Sequence, residues 1–143
     1  MVKVVLAADH GGFGLKEVLK PVLSQAGWQV LDVGCDSEDS VDYPDYANKA
    51  VARIVCGECE RGILICGTGI GMSIAANRER KIRAANCCNE YTARMSREHN
   101  NANILCLGAR VLSEDDAIKI VKVWMETEFA GGRHQRRIGK FSE

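Results

Sequence analysis

The sequence has no net charge to spend on a charged partner: 19 lysines and arginines balance 19 aspartates and glutamates. Without a global field the chain has no pull on nucleic acid or on an anionic membrane, so any function that uses charge is local. Long hydrophobic runs are missing too. No apolar stretch approaches the roughly 20 residues that span a bilayer, and no N-terminal stretch joins a basic region, a long apolar core and a small-residue cleavage site. A soluble, cytoplasmic protein with no nucleic-acid or membrane partner is expected. Linkers, repeats and low-complexity segments are also absent, which leaves one domain over residues 1–143 with a basic tail from about residue 131. A chain of this length buries most of its apolar surface around one core without disulfides or metals.

A disulfide framework is a further absence. The seven cysteines, at 35, 56, 59, 66, 87, 88 and 106, are odd in number, and several fall inside apolar runs where free cysteine acts as a small hydrophobe. Cys56-Gly-Glu-Cys59 has the spacing of half a zinc site or of a redox pair. No second CxxC or histidine pair completes a ligand set, and no cluster of carboxylates and histidines is spaced to hold two metals. Neither a metal nor a cofactor is expected.

What is present is a rhythm. VKVVLAAD (2–9), WQVLDVG (28–34), RGILICG (61–67), IRAANCC (82–88) and ANILCLG (102–108) are short apolar runs separated by longer amphipathic segments. Leu15, Val18, Leu19, Val22, Leu23 and Ala26 fall on one helical stripe, as do Ala117, Ile118, Val121, Trp124 and Met125. Pro21 interrupts the first helix, where a kink is expected. Continuous apolar strands linked by helices indicate a parallel sheet covered on both faces. The fold class is α/β: a doubly wound, Rossmann-like three-layer sandwich on a five-stranded parallel sheet.

In such folds the ligand binds beyond the carboxyl ends of the strands, near the point where strand order reverses. The first strand ends in Asp9-His10-Gly11-Gly12, the third in Cys66-Gly67-Thr68-Gly69-Ile70-Gly71, and the fourth helix in His99-Asn100-Asn101. All three are expected to converge on one edge of the sheet. The glycine run lacks the last glycine of G-x-G-x-x-G, because Met72 stands there, and no Lys-Ser/Thr pair follows. Dinucleotides and nucleoside triphosphates are thereby disfavoured. Alternate glycines opening a helix still leave backbone N–H groups free at the positive end of the helix dipole, where an anion fits. The alternative is a tight strand-to-helix turn that needs positive φ. Cys66 precedes those N–H groups, and a helix N-terminus favours thiolate over thiol, so this cysteine could serve as a base. A buried core cysteine like Cys106 is the alternative. His10 and His99, two of three histidines, stand at loop positions beside it in this scheme.

The stretches AADHGGFGLK, DYPDYA, GILICGTGIGMSIAANR, SREHNNANILCLGAR and GGRHQRR, in that order and over nearly the whole chain, closely resemble the type B ribose-5-phosphate isomerases. These belong to the sugar-phosphate isomerase family that also holds galactose-6-phosphate isomerase subunits. The resemblance implies an aldose–ketose isomerase that acts without metal or cofactor, in the pentose phosphate pathway. Cys66 would be the base that moves a proton between C1 and C2 through an enediolate. Some relatives use a downstream glutamate instead, and here Met72 or Ser73 occupies that position. Gly67, Gly69, Ile70 and Gly71 would form the anion hole, and Thr68 would assist proton movement between oxygens. His99 would open the furanose ring with help from Asp9. Tyr43 and Asn100 would line the sugar site.

Phosphate recognition would fall to His10, Arg133 and Arg137, with Arg110 a weaker candidate; a guanidinium pairs bidentately with phosphate oxygens. Family members are homodimers or dimers of dimers with shared sites, so the basic tail, too polar to be core, would reach the partner's phosphate. Ribose 5-phosphate is the leading substrate, and allose 6-phosphate or galactose 6-phosphate the runner-up. Two other classes compete less well. A nucleotide-binding module has no need of Cys66 and His99 together, and a thiol redox enzyme would open a helix with its CxxC, whereas Cys56 closes a predicted one.

Overall fold

The computed structural model describes residues 2–141. Strands β1 (Lys3–Ala8), β2 (Gln29–Asp32), β3 (Arg61–Cys66), β4 (Ala84–Asn86) and β5 (Ile104–Gly108) form one sheet in the order β2-β1-β3-β5-β4, and every pairing is parallel. Between them run α1 (Phe13–Gln25), α2 (Tyr43–Val55), α3 (Ile70–Ala76) and α4 (Glu90–Glu98), followed by α5 (Glu114–Glu126) and α6 (Arg133–Gly139). The α/β sandwich expected from the apolar rhythm is the one observed.

Alternation along the strands sorts the core into two layers. Val4, Leu6, Ala8, Ile63, Ile65, Leu105 and Leu107 face one way, against Leu15, Leu19 and Leu23 of α1, Ala93 of α4, and Val121 and Trp124 of α5. Val5, Ala7, Leu64, Cys66, Ile104 and Cys106 face the other, against Ala47 and Ala50 of α2 and Met72 and Ala76 of α3. Right-handed crossovers require this division: the steps from β1 to β2 and from β4 to β5 run toward one side of the sheet, those from β2 to β3 and from β3 to β4 toward the other. The outgoing connections of β1 and β3 therefore part company, and a crevice opens between two adjacent strand ends.

Some expectations need correction. The first helix runs unbroken from Phe13 to Gln25 with Pro21 inside it. Pro21 is exposed, so the lost backbone bond lies at the solvent side. The basic tail is not wholly outside the core: it forms α6, and Ile138 is buried. A polar tail can still dock through one apolar residue. No helix among the described residues is long and apolar enough to cross a membrane.

One of the buried charges lies under α1. Lys16, in the first turn of α1, is 1% exposed, and its ammonium meets Asp32 Oδ2 at 2.7 Å and Glu17 Oε1 at 3.2 Å. Asp32 also accepts the Gly34 N–H at 2.9 Å and pairs with Lys20 at 3.0 Å. Burial works against the charged form of Asp32. The Lys16 ammonium, the Gly34 N–H and Lys20 outweigh it and hold the carboxyl below its ordinary value. A carboxylate depressed in the folded state stabilises fully above its ordinary pKa of 3.8 and loses that contribution as pH falls through the lowered folded value. Asp32→Asn should therefore destabilise the protein near neutral pH, by about 3 kcal/mol or less because a quarter of the Asp32 side chain stays in solvent. Denaturant unfolding at a series of pH values should show parent and variant converging below pH 3.8; a gap that persists into acid would assign the stabilisation elsewhere.

Candidate active site

At the carboxyl edge, β1 runs into a turn that its own aspartate builds. Asp9 Oδ1 accepts the N–H groups of Gly11 at 2.9 Å and Gly12 at 3.1 Å, which folds the chain back into α1. A Cβ on Gly12 would lie 2.5 Å from the Ile65 carbonyl oxygen, so only glycine lets this turn pack on β3. His10 Nδ1 accepts the Val41 N–H at 3.1 Å. With Nδ1 as acceptor, the neutral ring carries its proton on Nε2, which is then a donor to a ligand.

The β3–α3 loop lies beside it. Cys66 is 6% exposed, and its Sγ accepts the Gly69 N–H at 3.2 Å. Gly69 has φ +82°, the left-handed conformation that glycine adopts at no steric cost. The Ile70 N–H donates to Thr68 Oγ1 at 3.3 Å. Two of the loop's donors are thus engaged within the loop, and Gly71, in the first turn of α3, offers an N–H without an intrahelical partner. The tight turn with positive φ is present, and of the N–H groups expected to be free for an anion, those of Gly69 and Ile70 are taken up inside the loop.

Two more side chains close over these loops through missing Cβ atoms. A Cβ on Gly71 would lie 2.6 Å from the Tyr43 ring, and one on Gly67 would lie 3.0 Å from Arg110 Nη1. Arg110 Nη2 would be 3.5 Å from a Cβ on Gly11, so its guanidinium spans both loops. This edge therefore gathers Asp9, His10, Tyr43, Cys66, Gly67, Thr68, Gly69, Ile70, Gly71 and Arg110. The weakest of the arginine candidates is the one that lies here.

His99 and Asn100 do not lie here. A helix between parallel strands runs back against them, so α4 delivers His99 to the edge where strands begin. There the Asn103 side chain accepts the Arg83 N–H at 2.8 Å, just before β4, and the Asn103 carbonyl accepts the Gly62 N–H at 2.9 Å. Cys66 pairs with Gly108, four residues along β5 from Ile104, so the two edges are about 13 Å apart along the strand alone. The expected convergence of three loops on one edge is corrected to two, and Arg133 and Arg137 go with the third.

That second cluster is ordered. The His99 and His134 rings stack with centroids 4.2 Å apart at 14°, and the Ala130 N–H donates to the Glu98 carbonyl at 3.0 Å. Buried Arg97 ties α4 to the α5–α6 connection: Nε donates to the Thr127 carbonyl at 3.0 Å, and Nη1 donates to the Ala102 carbonyl at 2.6 Å and to Asn101 Oδ1 at 3.0 Å. Burial, then the charge of Arg61, pushes the Arg97 guanidinium down to about 10, which leaves it charged at neutral pH. Desolvation, then His99, Arg133 and Arg137, pushes the His134 imidazole below its ordinary value. A cleft of about 490 Å³, lined by Asn77, Arg80, Ile82, Asn100 and Phe141 among others, opens on this edge.

Sequence reasoning missed His134 as a site neighbour, although the GGRHQRR block contained it. It also passed over Asn86, a polar residue closing an apolar strand, which is the signal that picked out Asp9.

The thiols separate by environment. Burial pushes Cys106 well above the ordinary thiol value and raises Cys35, Cys59 and Cys87. Cys56 and Cys88 are exposed. Cys56 caps the end of α2 while Cys59 is buried, so the CxxC does not open a helix. Among the described residues no group of three His, Cys, Asp or Glu could hold a metal ion. Brief iodoacetamide treatment followed by peptide mass spectrometry should modify Cys66 well before Cys35, Cys59, Cys87 and Cys106, because burial raises those four thiols while Cys66 has the Gly69 N–H aimed at its sulfur. Modification of Cys66 no faster than that of Cys106 would contradict this.

The chain matches the Ribose/Galactose Isomerase family model over residues 4–141. It is 44% identical to ribose-5-phosphate isomerase B of Escherichia coli over 138 residues, covering 96% of this chain and 93% of that one. The structure superposes on the ribose-5-phosphate isomerase B of Clostridium thermocellum with a TM-score of 0.97 and 52% identity, covering 99% of this chain and 95% of that one. Against the enzyme of Thermotoga maritima the TM-score is 0.96 at 53% identity, over 99% and 97% of the two chains. With a family match over residues 4–141 and solved structures that superpose over nearly the whole chain, this chain belongs to the ribose/galactose isomerase family, with the type B ribose-5-phosphate isomerases, and is a sugar-phosphate isomerase.

Proposed function

We propose that the chain interconverts ribose 5-phosphate and ribulose 5-phosphate, a step of the pentose phosphate pathway, through an enediolate with Cys66 as base. The observation that carries this is the Gly69 N–H aimed at Cys66 Sγ in the β1/β3 crevice. A thiolate held there takes the C2 proton of the open-chain aldose and returns it to C1, while the O2 hydroxyl proton passes to O1. Thr68 Oγ1 accepts from Ile70, which leaves its own O–H to serve the substrate oxygens. The Gly71 N–H would meet the enediolate oxygen. Asp9 Oδ1 is committed to its turn, so Oδ2 is the oxygen left to meet the sugar. His10, through Nε2–H, and Arg110 supply donors for phosphate or hydroxyl groups on this edge.

The remaining assignments need a second copy. His99 as ring opener, Asn100 on the sugar, and Arg133 and Arg137 on the phosphate lie on the far edge of the same sheet. A homodimer that sets one copy's far edge against the other's crevice completes two equivalent sites, as a twofold axis requires. Arg133 and Arg137 lie one helical turn apart on α6 and can address one dianion together.

Cys66→Ala should abolish ribose 5-phosphate isomerisation while leaving the fold intact by circular dichroism, and substrate should slow alkylation of Cys66 in the parent. Full activity in Cys66→Ala would sink the base assignment. Arg137→Ala should raise KM for ribose 5-phosphate at least tenfold, since one charge-assisted contact is worth about 1.5–3 kcal/mol. An unchanged KM would remove α6 from the phosphate. A panel of aldose phosphates that favoured a six-carbon substrate would move the substrate assignment and leave the chemistry in place.

A further inference from the structure

Cys66 receives its hydrogen bond from a peptide group, and that group has two ends. The Gly69 N–H belongs to the Thr68–Gly69 peptide, whose other polar atom is the Thr68 carbonyl oxygen. In a planar trans peptide the two point in opposite directions. Whatever holds the carbonyl therefore aims the N–H.

Two residues outside the loop hold it. Asn86 Nδ2, at the end of β4, donates to the Thr68 carbonyl at 3.3 Å. Gly108, at the end of β5, leaves the space the carbonyl occupies: a Cβ there would lie 2.6 Å from the Thr68 oxygen and 2.8 Å from its Cα. The Asn86 side chain also packs so closely on Gly69 that a Cβ on that glycine would overlap Asn86 Oδ1. The peptide is thus gripped from β4 and β5, on the side away from the sulfur, while its N–H lies 3.2 Å from Cys66 Sγ.

We infer that Asn86 and Gly108 are positioning residues for Cys66, acting through the Thr68–Gly69 peptide to keep its N–H on the sulfur. Neither need touch the substrate for this. The inference rests on the reading of Cys66 as base only for its kinetic consequence; the effect on the thiol itself is independent of it. Asn86 is exposed at a strand end, so replacing it with leucine removes the donor without emptying the core. Leucine and alanine are both neutral, so the charges of Arg110 and Asp9 near the loop are unchanged by either variant.

The test measures two quantities on the intact protein: the rate of iodoacetamide modification of Cys66 at neutral pH, with exposed Cys56 as internal reference, and kcat and KM for ribose 5-phosphate. Asn86→Leu should slow Cys66 modification about three- to tenfold relative to Cys56, the scale of one neutral hydrogen bond. It should lower kcat by a similar factor with KM and the thermal midpoint little changed. Gly108→Ala, which must displace the carbonyl, should lose more of both; if it does not fold, the leucine variant carries the test alone. Unchanged Cys66 modification in Asn86→Leu would overturn the inference. Slowed modification with unchanged kcat would uphold the positioning role and remove Cys66 as the base.

Discussion

A parallel strand can follow another only if the chain first travels back the full height of the sheet, and this constraint governs where chemistry can meet chemistry in the protein. Residues at strand ends and at helix starts share one edge, while residues at helix ends share the other. The crevice between β1 and β3 exists because their onward connections diverge, and it collects the Asp9 turn and the Cys66 loop. The same rule sends His99 to the opposite edge. A site that needs both groups is divided by topology, and no local adjustment of a loop crosses a gap of about 13 Å.

Within the crevice the backbone does most of the positioning. The Asp9 carboxylate, the His10 ring and the Cys66 sulfur each accept a main-chain N–H, from Gly11 and Gly12, from Val41 and from Gly69 respectively. Glycines at 12, 69 and 71 then let Ile65, Asn86 and Tyr43 approach closer than any side chain would allow, and Gly67 leaves room for the Arg110 guanidinium. Backbone donors cost no side-chain entropy to hold in place. On the far edge the device is different: buried Arg97 gathers three acceptors and locks the end of α4 against the approach to α6.

Much of this was legible in the sequence, for reasons that can be located. The continuous apolar runs in VKVVLAAD and RGILICG marked strands of a sheet covered on both faces, because burial on both sides leaves no polar position until the strand ends. The first polar residue after such a run, Asp9, or a thiol before glycines, Cys66, marks the ligand edge. His99 misled for the opposite reason. A polar cluster at a helix end looks like one at a strand end unless the direction of the helix is followed through the sheet. Asn86 was lost inside IRAANCC, where β4 spans only Ala84–Asn86 and the following cysteines look like more strand. Ile138 was lost because six charged or polar neighbours hide one apolar anchor.

The central claim is that each site joins the Cys66 edge of one copy to the His99 edge of another, and mixing two inactive variants tests it most directly. Cys66→Ala and His99→Ala homodimers should each be inactive or nearly so. Unfolding them together and refolding at equal concentration should recover about a quarter of the parent's activity, since half the dimers are mixed and each mixed dimer has one intact site. Activity no greater than the sum of the two variants, with mixed dimers verified by mass spectrometry, would place both residues in a single chain's site and contradict the account.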